Sequence, residues 1–288
     1  MWVPVTQPFD LDLTLKSGQV FRWRFDQGWW SGFIGTELFF LRQMDGGLEV
    51  ITDSLNNTDI TLYLEWFFRF DDDLATVYND LSSDILVADA CKAYEGMRLL
   101  RQDPWECLIG FISSTASNIP RIARVQERLA SELGRPVLMN GMRRNAFPDP
   151  TTLSMVGEPV LRELGLGYRA RYVGLVSTKI ASGEFILSEL EQLDYVSGRK
   201  KLLTLPGVGV KVADCVQLFA FGKLESFPID RWVRRALEQW YFGGRKTSDQ
   251  VLSDWAQGVF SPWAGYAQQY LFFRSRDVKL IDDNPAYT

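Results

Sequence analysis

The stretch from Lys200 to Trp232, KKLLTLPGVGVKVADCVQLFAFGKLESFPIDRW, decides the fold of this 288-residue chain. Its first residues predict a helix that ends before Pro206, because proline cannot continue a helix and the glycines after it permit a tight turn. Apolar residues then recur at helical spacing from Val208 to Phe219, which predicts a second helix with one buried face. The stretch therefore predicts two helices joined by a glycine hairpin, from about residue 197 to residue 220.

The glycine hairpin is suited to binding a phosphate group. Amide N–H groups without helical partners lie at the N-terminus of the second helix, and their partial positive charge attracts anions. Gly207 and Gly209 lack the Cβ atom that would keep a phosphate away. An ordinary corner between two helices would carry the same glycines, so the hairpin alone does not establish a function.

Lys211 and Asp230 are the candidate catalytic pair. Lys211 lies in the first turn of the second helix, and Asp230 follows nineteen residues later in the sequence FPID, at the start of another helix. One helix and a short return loop can bring the amine and the carboxylate to the same wall of a cleft. Each residue also has an ordinary explanation, because most lysines are surface charges and an aspartate before a helix is commonly its N-cap.

This pattern resembles the helix-hairpin-helix DNA glycosylase superfamily, and LPGVGxKVADC looks like the 8-oxoguanine DNA glycosylase family within it. The resemblance implies that Lys211 is the nucleophile and Asp230 the catalytic carboxylate. It implies a bifunctional repair enzyme that flips oxidised guanine out of DNA, excises it, and cleaves the abasic strand by β-elimination through a lysine Schiff base. The partner would be damaged double-stranded DNA, and we expect a monomer that requires no cofactor.

The base pocket is also assigned through this resemblance. The segment SGQVFRW, residues 17–23, matches the amino-terminal signature of the family, in which Gly18 would offer its carbonyl to the damaged base. In the C-terminal segment WAGYAQQYLF, the resemblance puts Gln268 on the Watson–Crick edge of the flipped base and Phe272 on its face. Cys215 would stack on the opposite face.

The remaining DNA contacts are assigned to the hairpin and to two other segments. The segment LGLGYRARY matches the family and makes Tyr168 a candidate wedge at the lesion. Aromatic and arginine side chains at the start of this helix suit stacking and phosphate contact, so Arg169 is a candidate backbone contact. Arg121 is another, on an amphipathic helix predicted from Ile119 to Leu133.

Two positions depart from the family pattern. Trp232 stands where the family usually has a histidine that contacts a phosphate. Ala116, in SSTASN, stands where the family has an asparagine that bonds the unpaired partner base, and Asn118 is close by but out of register. A methyl group offers no hydrogen bond, so we expect weak selectivity for the opposite base unless Asn118, Arg121 or Arg169 substitutes.

Composition excludes several other chemistries. The chain has no histidine, which removes Ser-His-Asp and Cys-His catalysis and every histidine-ligated metal site. Three widely spaced cysteines provide neither a disulfide framework nor a four-cysteine site. The only metal that the resemblance implies is an ion held by backbone carbonyls of the hairpin, here those of Leu203, Leu205 and Val208.

The net charge of −5 is unevenly distributed, since residues 1–100 carry 7 basic against 16 acidic side chains and residues 101–288 carry 24 against 20. A DNA-binding surface is therefore expected in the second part. No segment reads as a signal peptide or a membrane span. We expect an intracellular protein, in the cytoplasm and nucleoid or in the nucleus.

The hydrophobic pattern predicts an α+β fold, with a small antiparallel sheet followed by a mostly helical remainder. The resemblance implies that this remainder is a two-part, all-helical glycosylase body. Alternation predicts strands at 9–15, 21–25, 29–34, 38–41 and 48–51. Capping signals predict helices after Asp84 and Asp103, and 141–150 is predicted to be a loop. We divide the chain into 1–84, the sheet with a covering helix, and 85–288, the body.

Two other functions fit parts of the pattern. A sister glycosylase excises alkylated bases with activated water, although such relatives generally lack the lysine at position 211. A non-catalytic DNA-binding module would use the hairpin only as a grip on the backbone. Covalent trapping with borohydride on lesion DNA separates the three: the bifunctional enzyme is trapped, the sister releases base without trapping, and the module does neither.

Overall fold

The computed structural model describes residues 1–53, 57–139 and 141–282. For residues 57, 58 and 278–282 it describes the backbone alone. The predicted α+β class is confirmed by an N-terminal antiparallel sheet and a helical body. The strands of this sheet are β1 (Trp2–Pro4), β2 (Arg24–Asp26), β3 (Trp29–Ile34), β4 (Glu37–Met44) and β5 (Gly47–Ile51). Their spatial order is β1-β5-β4-β3-β2, so consecutive strands form hairpins and β1 closes one edge.

The first predicted strand, residues 9–15, is wrong: Leu11–Lys16 forms helix α1. Asp10 caps this helix, because its Oδ1 accepts a hydrogen bond of 2.8 Å from the amide of Leu13. Leu11 and Leu15 are buried one turn apart, a spacing that satisfies a helix and a strand pattern equally over so short a segment. The cap decides between them.

The second predicted strand, residues 21–25, is correct only at its end, in β2. Trp23 does not continue the strand, because its indole packs against Gly32 of β3 and stacks on Phe67 at 5.6 Å between ring centroids. A Cβ atom on Gly32 would lie 2.3 Å from that indole, so the glycine makes room for it. The other three predicted strands lie within β3, β4 and β5.

After the sheet, the described chain contains thirteen α-helices and two short helices of other types. The first group is α2 (Asn57–Phe67), α3 (Leu74–Leu81), α4 (Ile85–Ala93), α5 (Pro104–Ser114), α6 (Ile119–Leu133), α7 (Pro150–Val156) and α8 (Glu158–Leu161). A π-helix, Arg162–Leu166, leads into α9 (Arg169–Ala181), and a 3₁₀ helix, Leu187–Gln192, follows it. The rest are α10 (Tyr195–Leu202), α11 (Val210–Phe219), α12 (Arg231–Trp240), α13 (Asp249–Phe260) and α14 (Ala264–Asp282).

Helix starts follow the capping signals. Asp84 and Asp103 cap α4 and α5 as predicted, and Asn118 caps α6, whose bounds are those predicted. Each cap satisfies an amide that has no partner inside its helix. In the part of the chain described here, no helix is long and apolar enough to cross a membrane.

The loop predicted over 141–150 is wrong in its first half, and the body is not entirely helical. Strands β6 (Pro136–Met139) and β7 (Met142–Asn145) form a hairpin there, and Met139 packs against Phe33 and Phe40 of the sheet. Arg144 of β7 is buried, and donates to the carbonyl of Arg22 at 2.9 Å and to the hydroxyl of Ser31 at 2.8 Å. These contacts with residues distant in sequence order a segment in which the local sequence alone predicts a loop.

Two principal cores hold the molecule together. One is formed by the sheet with α1 and α2, and includes Leu100 from beyond the predicted division at residue 84. The other fills the helical body and includes Leu74, Val77 and Leu81 of α3. Each core therefore contains side chains from the other side of the predicted division at residue 84, and that division stays a prediction.

Candidate active site

One cavity of about 230 Å³ lies where the sheet unit meets α5, α6, α11, α12 and α14. Most of the residues predicted for catalysis and base binding line it, although they come from distant parts of the sequence. The predicted residues in its wall are Gly18, Asn118, Lys211, Cys215, Asp230, Trp232, Gln268 and Phe272. The fold therefore brings the candidate catalytic pair and the candidate base pocket together.

Lys211 lies in the first turn of α11, directly after the hairpin. Its Nζ donates a hydrogen bond of 2.8 Å to the Ser114 hydroxyl and lies 5.0 Å from the centroid of the Phe111 ring. Both partners belong to the C-terminal half of α5, so the amine is held at a defined point in the cavity wall. Sequence reasoning missed this support, and the only signal for it was the position of Ser114 as the second residue of SSTASN.

Asp230 caps α12 and faces the same cavity. Its Oδ1 accepts hydrogen bonds of 2.8 Å from the amides of Trp232 and Val233. Its Oδ2 accepts no hydrogen bond from the described residues, and Asp230 and Lys211 form no ion pair with each other. One carboxylate oxygen is thus used to hold the helix, and the other remains available to a charge that develops between the two residues.

Gln268 supplies an unfilled acceptor to the cavity. The side chain is buried, and its Nε2 donates to the carbonyl of Pro228 at 3.2 Å, which sets the orientation of the amide. Its Oε1 is buried and accepts no hydrogen bond among the described residues. A buried acceptor without a donor destabilises the empty protein, so it favours a guest that presents an N–H group there.

Gly18 and Phe272 form another part of the wall. Gly18 has φ +90, and a Cβ atom on it would lie 2.6 Å from Ile119 and 3.4 Å from the Phe272 ring, so the position requires glycine. The neighbouring Ser17 carbonyl accepts a hydrogen bond of 3.1 Å from Gln269, which ties this loop to α14. The N-terminal unit therefore contributes a backbone segment to a pocket built mainly by helices.

Cys215 lies one turn after Lys211 on α11. Burial raises the pKa of its thiol to about 12, and the nearby Lys211 ammonium opposes part of that rise. A thiol with so high a pKa stays protonated near neutral pH, and the thiolate is the nucleophilic form of cysteine. Cys215 therefore presents a protonated, polarisable thiol to the cavity, and Lys211 stays the candidate nucleophile.

The hairpin between α10 and α11 presents free backbone groups. Gly207 has φ +76, and a Cβ atom on it would lie 2.5 Å from Tyr172, so the turn closes only with glycine. At Gly209 a Cβ atom would meet nothing within 4 Å, and α11 has no side-chain cap. The amides of its first turn are thus accessible from outside, as a phosphate site requires.

The hairpin carbonyls also fit a cation. The carbonyls of Leu203 and Val208 accept no hydrogen bond among the described residues, and that of Leu205 accepts one of 3.2 Å from the Val208 amide. Neutral carbonyl oxygens suit a hard alkali or alkaline-earth ion. The residues thus fit the ion that the resemblance implies, which would tighten the hairpin.

Comparison with known proteins supports the same assignment over the whole chain. The family description "8-oxoguanine DNA glycosylase, N-terminal domain" matches residues 3–108, and "HhH-GPD superfamily base excision DNA repair protein" matches residues 109–259. The chain is 30% identical to a probable N-glycosylase/DNA lyase of Methanothermobacter thermautotrophicus, over 98% of each chain. It belongs to the 8-oxoguanine DNA glycosylase family.

Two further relatives agree. N-glycosylase/DNA lyase OGG1 of Arabidopsis thaliana is 33% identical over 91% of this chain and 76% of its own length. The 8-oxoguanine glycosylase/lyase of Clostridium acetobutylicum, solved with double-stranded DNA that contains cytosine opposite 8-oxoG, superposes with a TM-score of 0.90 at 28% identity, covering 97% of this chain and 98% of that one.

In this member of the 8-oxoguanine glycosylase family, Arg169 is not the phosphate contact that the sequence predicted. Its side chain is buried, and its guanidinium donates to the carbonyls of Thr115, Ala116 and Leu166. These bonds use four of its five N–H donors and hold the loop before α6. Neighbouring Tyr168 is half exposed beside this loop, with the Arg169 guanidinium 4.5 Å from its ring centroid, and so remains a candidate wedge.

The loop that should face the partner base contains Ala116 and Asn118. Ala116 is exposed and adopts φ +48, a left-handed conformation that asparagine tolerates better than alanine. Asn118 uses its Oδ1 to accept a hydrogen bond of 3.0 Å from the Arg121 amide, as the cap of α6. Asn118 therefore lines the cavity with its Oδ1 engaged in the cap, and this bond fixes the orientation of its amide.

A basic surface extends from this loop along α6. Arg121, Arg124 and Arg128 are exposed, face one groove beside the π-helix, and form no ion pair with the described residues. Exposed Arg143 of β7 continues the surface next to Arg124 and Arg128. Part of the positive charge expected in the second part of the chain thus lies beside the cavity, where DNA phosphates would lie.

Trp232 is half buried in the cavity wall, at the position of the family histidine. The guanidinium of exposed Arg231 lies 5.2 Å from its ring centroid. This pair offers a flat surface and a cation where the family presents an imidazole.

Proposed function

We propose that this protein is a bifunctional DNA repair glycosylase that excises oxidised guanine from double-stranded DNA and then cleaves the abasic strand. The observation that carries the proposal is the meeting of the Lys211 amine, the Asp230 carboxylate and the unfilled acceptor of Gln268 in one cavity. DNA would be held by the hairpin amides and by the arginine surface of α6. The substrate places the activity in a compartment that contains DNA.

The chemistry follows from the positions of the two catalytic groups. The unprotonated Lys211 amine attacks C1′ of the flipped nucleoside, while the glycosidic bond breaks and the base leaves with the bonding electrons and gains a proton. The free carboxylate oxygen of Asp230 stabilises the positive charge that develops on the sugar. After ring opening, the lysine is linked to C1′ as an imine, and loss of a proton from C2′ expels the 3′ phosphate.

The identity of the base follows from Gln268. Guanine presents N1–H and N2–H donors on its Watson–Crick edge, whereas adenine presents an unprotonated N1 acceptor. The buried Oε1 is complementary to the guanine edge and would face the lone pair of adenine N1. This difference favours an oxidised guanine over an oxidised adenine.

Borohydride trapping tests the proposal. The parent protein should form a covalent complex with a duplex that contains 8-oxoguanine, and Lys211→Gln should form none and release no base while still binding the duplex. Lys92→Gln is the matched control, because Lys92 is exposed on α4 outside the cavity. Base release by the parent without any trapped complex would instead select the monofunctional glycosylase that uses activated water.

A further inference from the structure

Arg276 is a cavity residue to which none of the preceding chemistry assigns a role. It lies on α14, two turns after Gln268 and one turn after Phe272, so the three side chains share one face of the helix. Its guanidinium lies 5.3 Å from the centroid of the Phe272 ring. Its Nη1 would lie 3.3 Å from a Cβ atom on Gly18, so the cation is next to the glycine loop.

The guanidinium has few protein partners for a partly buried cation. Its one hydrogen bond with the described residues is a long contact of 3.4 Å from Nη1 to the Ser17 carbonyl, and it forms no ion pair with them. Burial lowers its pKa, with smaller opposing effects of Asp277 and Asp230. Since a guanidinium has five N–H donors, most of its donors remain free for an acceptor that enters the cavity.

The other donors of this wall are already engaged. The Nε2 atoms of Gln268 and Gln269 donate to the carbonyls of Pro228 and Ser17. Lys211 is on α11 and donates to Ser114. Each of these groups keeps at least one further N–H, but Arg276 lies next to both Gly18 and Phe272 with four of its five donors unfilled among the described residues.

Oxidised guanine differs from guanine along one edge of the five-membered ring. At C8 it carries a carbonyl oxygen, where guanine has only C–H, and at N7 it carries a proton, where guanine has a lone pair. A base that stacks on Phe272 with its Watson–Crick edge toward Gln268 turns its five-membered ring away from that residue. We propose that Arg276 donates a hydrogen bond to the C8 oxygen and is thereby a specificity residue, an inference that rests on the proposed function.

This assignment separates two recognition tasks within the pocket. Gln268 distinguishes guanine from adenine, whatever stands at C8. Arg276 distinguishes the oxidised purine from the undamaged one, whatever stands on the Watson–Crick edge.

The test is a set of binding measurements with duplexes whose arabino sugar carries a 2′-fluoro group that blocks cleavage. The parent protein is compared with Arg276→Met, which keeps most of the length but no donor, on 8-oxoguanine, guanine and 8-oxoadenine. We expect the preference for 8-oxoguanine over guanine to fall by at least about tenfold, the lower limit expected from a hydrogen bond to a charged group. The preference for 8-oxoguanine over 8-oxoadenine should not change, because both carry the C8 oxygen.

Arg274→Met is the matched control. Arg274 lies on the same helix, donates to the Leu86 carbonyl at 2.7 Å and does not line the cavity, so its substitution should leave both preferences unchanged. An undiminished preference over guanine in Arg276→Met, or an equal loss in Arg274→Met, overturns the proposal. If Arg276→Met does not fold, Arg276→Leu, which also has no donor, takes its place with the same criteria.

The two levels of inference fail differently. A parent protein that binds all three duplexes equally contradicts the proposed function itself. A parent that prefers 8-oxoguanine, together with an Arg276→Met variant that prefers it as strongly, contradicts only the role of Arg276.

Discussion

Replacement of Gln268 by alanine should separate base recognition from stability. The buried Oε1 has no donor among the described residues, and the guanine edge supplies one. Loss of this bond, and of the penalty against adenine N1, should cost about 1–3 kcal/mol of discrimination, which is roughly a 5- to 150-fold change in relative rate. The preference for 8-oxoguanine over 8-oxoadenine should fall by this factor, since the two lesions differ only on the edge that Gln268 faces.

Stability should change much less. The substitution removes the 3.2 Å bond to the Pro228 carbonyl, a loss of about 1 kcal/mol, but it also removes an acceptor that is unsatisfied in the empty protein. Water that enters the cavity can bind the Pro228 carbonyl that the substitution leaves without its partner. We therefore expect a decrease in Tm of at most about 2–4 °C, the shift that 1 kcal/mol produces in a domain of somewhat smaller size.

The assay is single-turnover excision on the two lesion duplexes, with Gln217→Ala as the matched control. Gln217 is a fully buried glutamine on α11, its side-chain amide forms no hydrogen bond with the described residues, and it does not line the cavity. Its substitution should leave the ratio of rates unchanged. An unchanged ratio in Gln268→Ala, or the same loss in both variants, would refute the assignment of Gln268 to the base edge.

Three further outcomes are expected. Asp230→Asn should slow base release about 100-fold or more with little change in Tm, because asparagine still caps α12 but cannot stabilise a cation; a change confined to Tm would leave Asp230 as a cap only. Ala116→Asn should sharpen the preference for cytosine opposite the lesion without loss of stability, since φ +48 suits asparagine. Excision rates on four duplexes that differ only in the opposite base measure this preference, and the same preference in the parent and the variant would contradict the prediction. Burial raises the pKa of Asp214 to about 6, although its ion pair with Arg199 opposes this, so the folded state binds the proton more tightly than the unfolded state. The free energy of unfolding should therefore fall by up to roughly 3 kcal/mol as the pH rises from about 4 to about 6. Asp214→Asn should flatten this part of the profile in denaturant titrations, and an unaltered profile would contradict the assignment.

Local patterns predicted the elements whose signals are contained in neighbouring residues. The caps at Asp84 and Asp103, the bounds of α6, and the hairpin around Gly207 all depend on bonds between residues at most a few positions apart. The N-terminal helix α1 shows the limit of this reasoning. Over six residues, alternation and helical spacing cannot be distinguished by hydrophobicity alone, and the deciding bond is the cap formed by Asp10.

By itself, the sequence determined the helix-hairpin-helix, the candidate catalytic pair and the family resemblance, because motif residues at short spacing carry that information. The tertiary structure alone decided what each arginine does. Arg144 and Arg169 look like surface cations in the sequence, but each is buried by contacts with residues distant in sequence, at separations of 113 and 54 positions respectively. Arg276 instead lines the cavity because α14 runs along its wall. A guanidinium takes its role from the carbonyls and carboxylates around it, and in a folded chain these come mostly from residues that are distant in sequence.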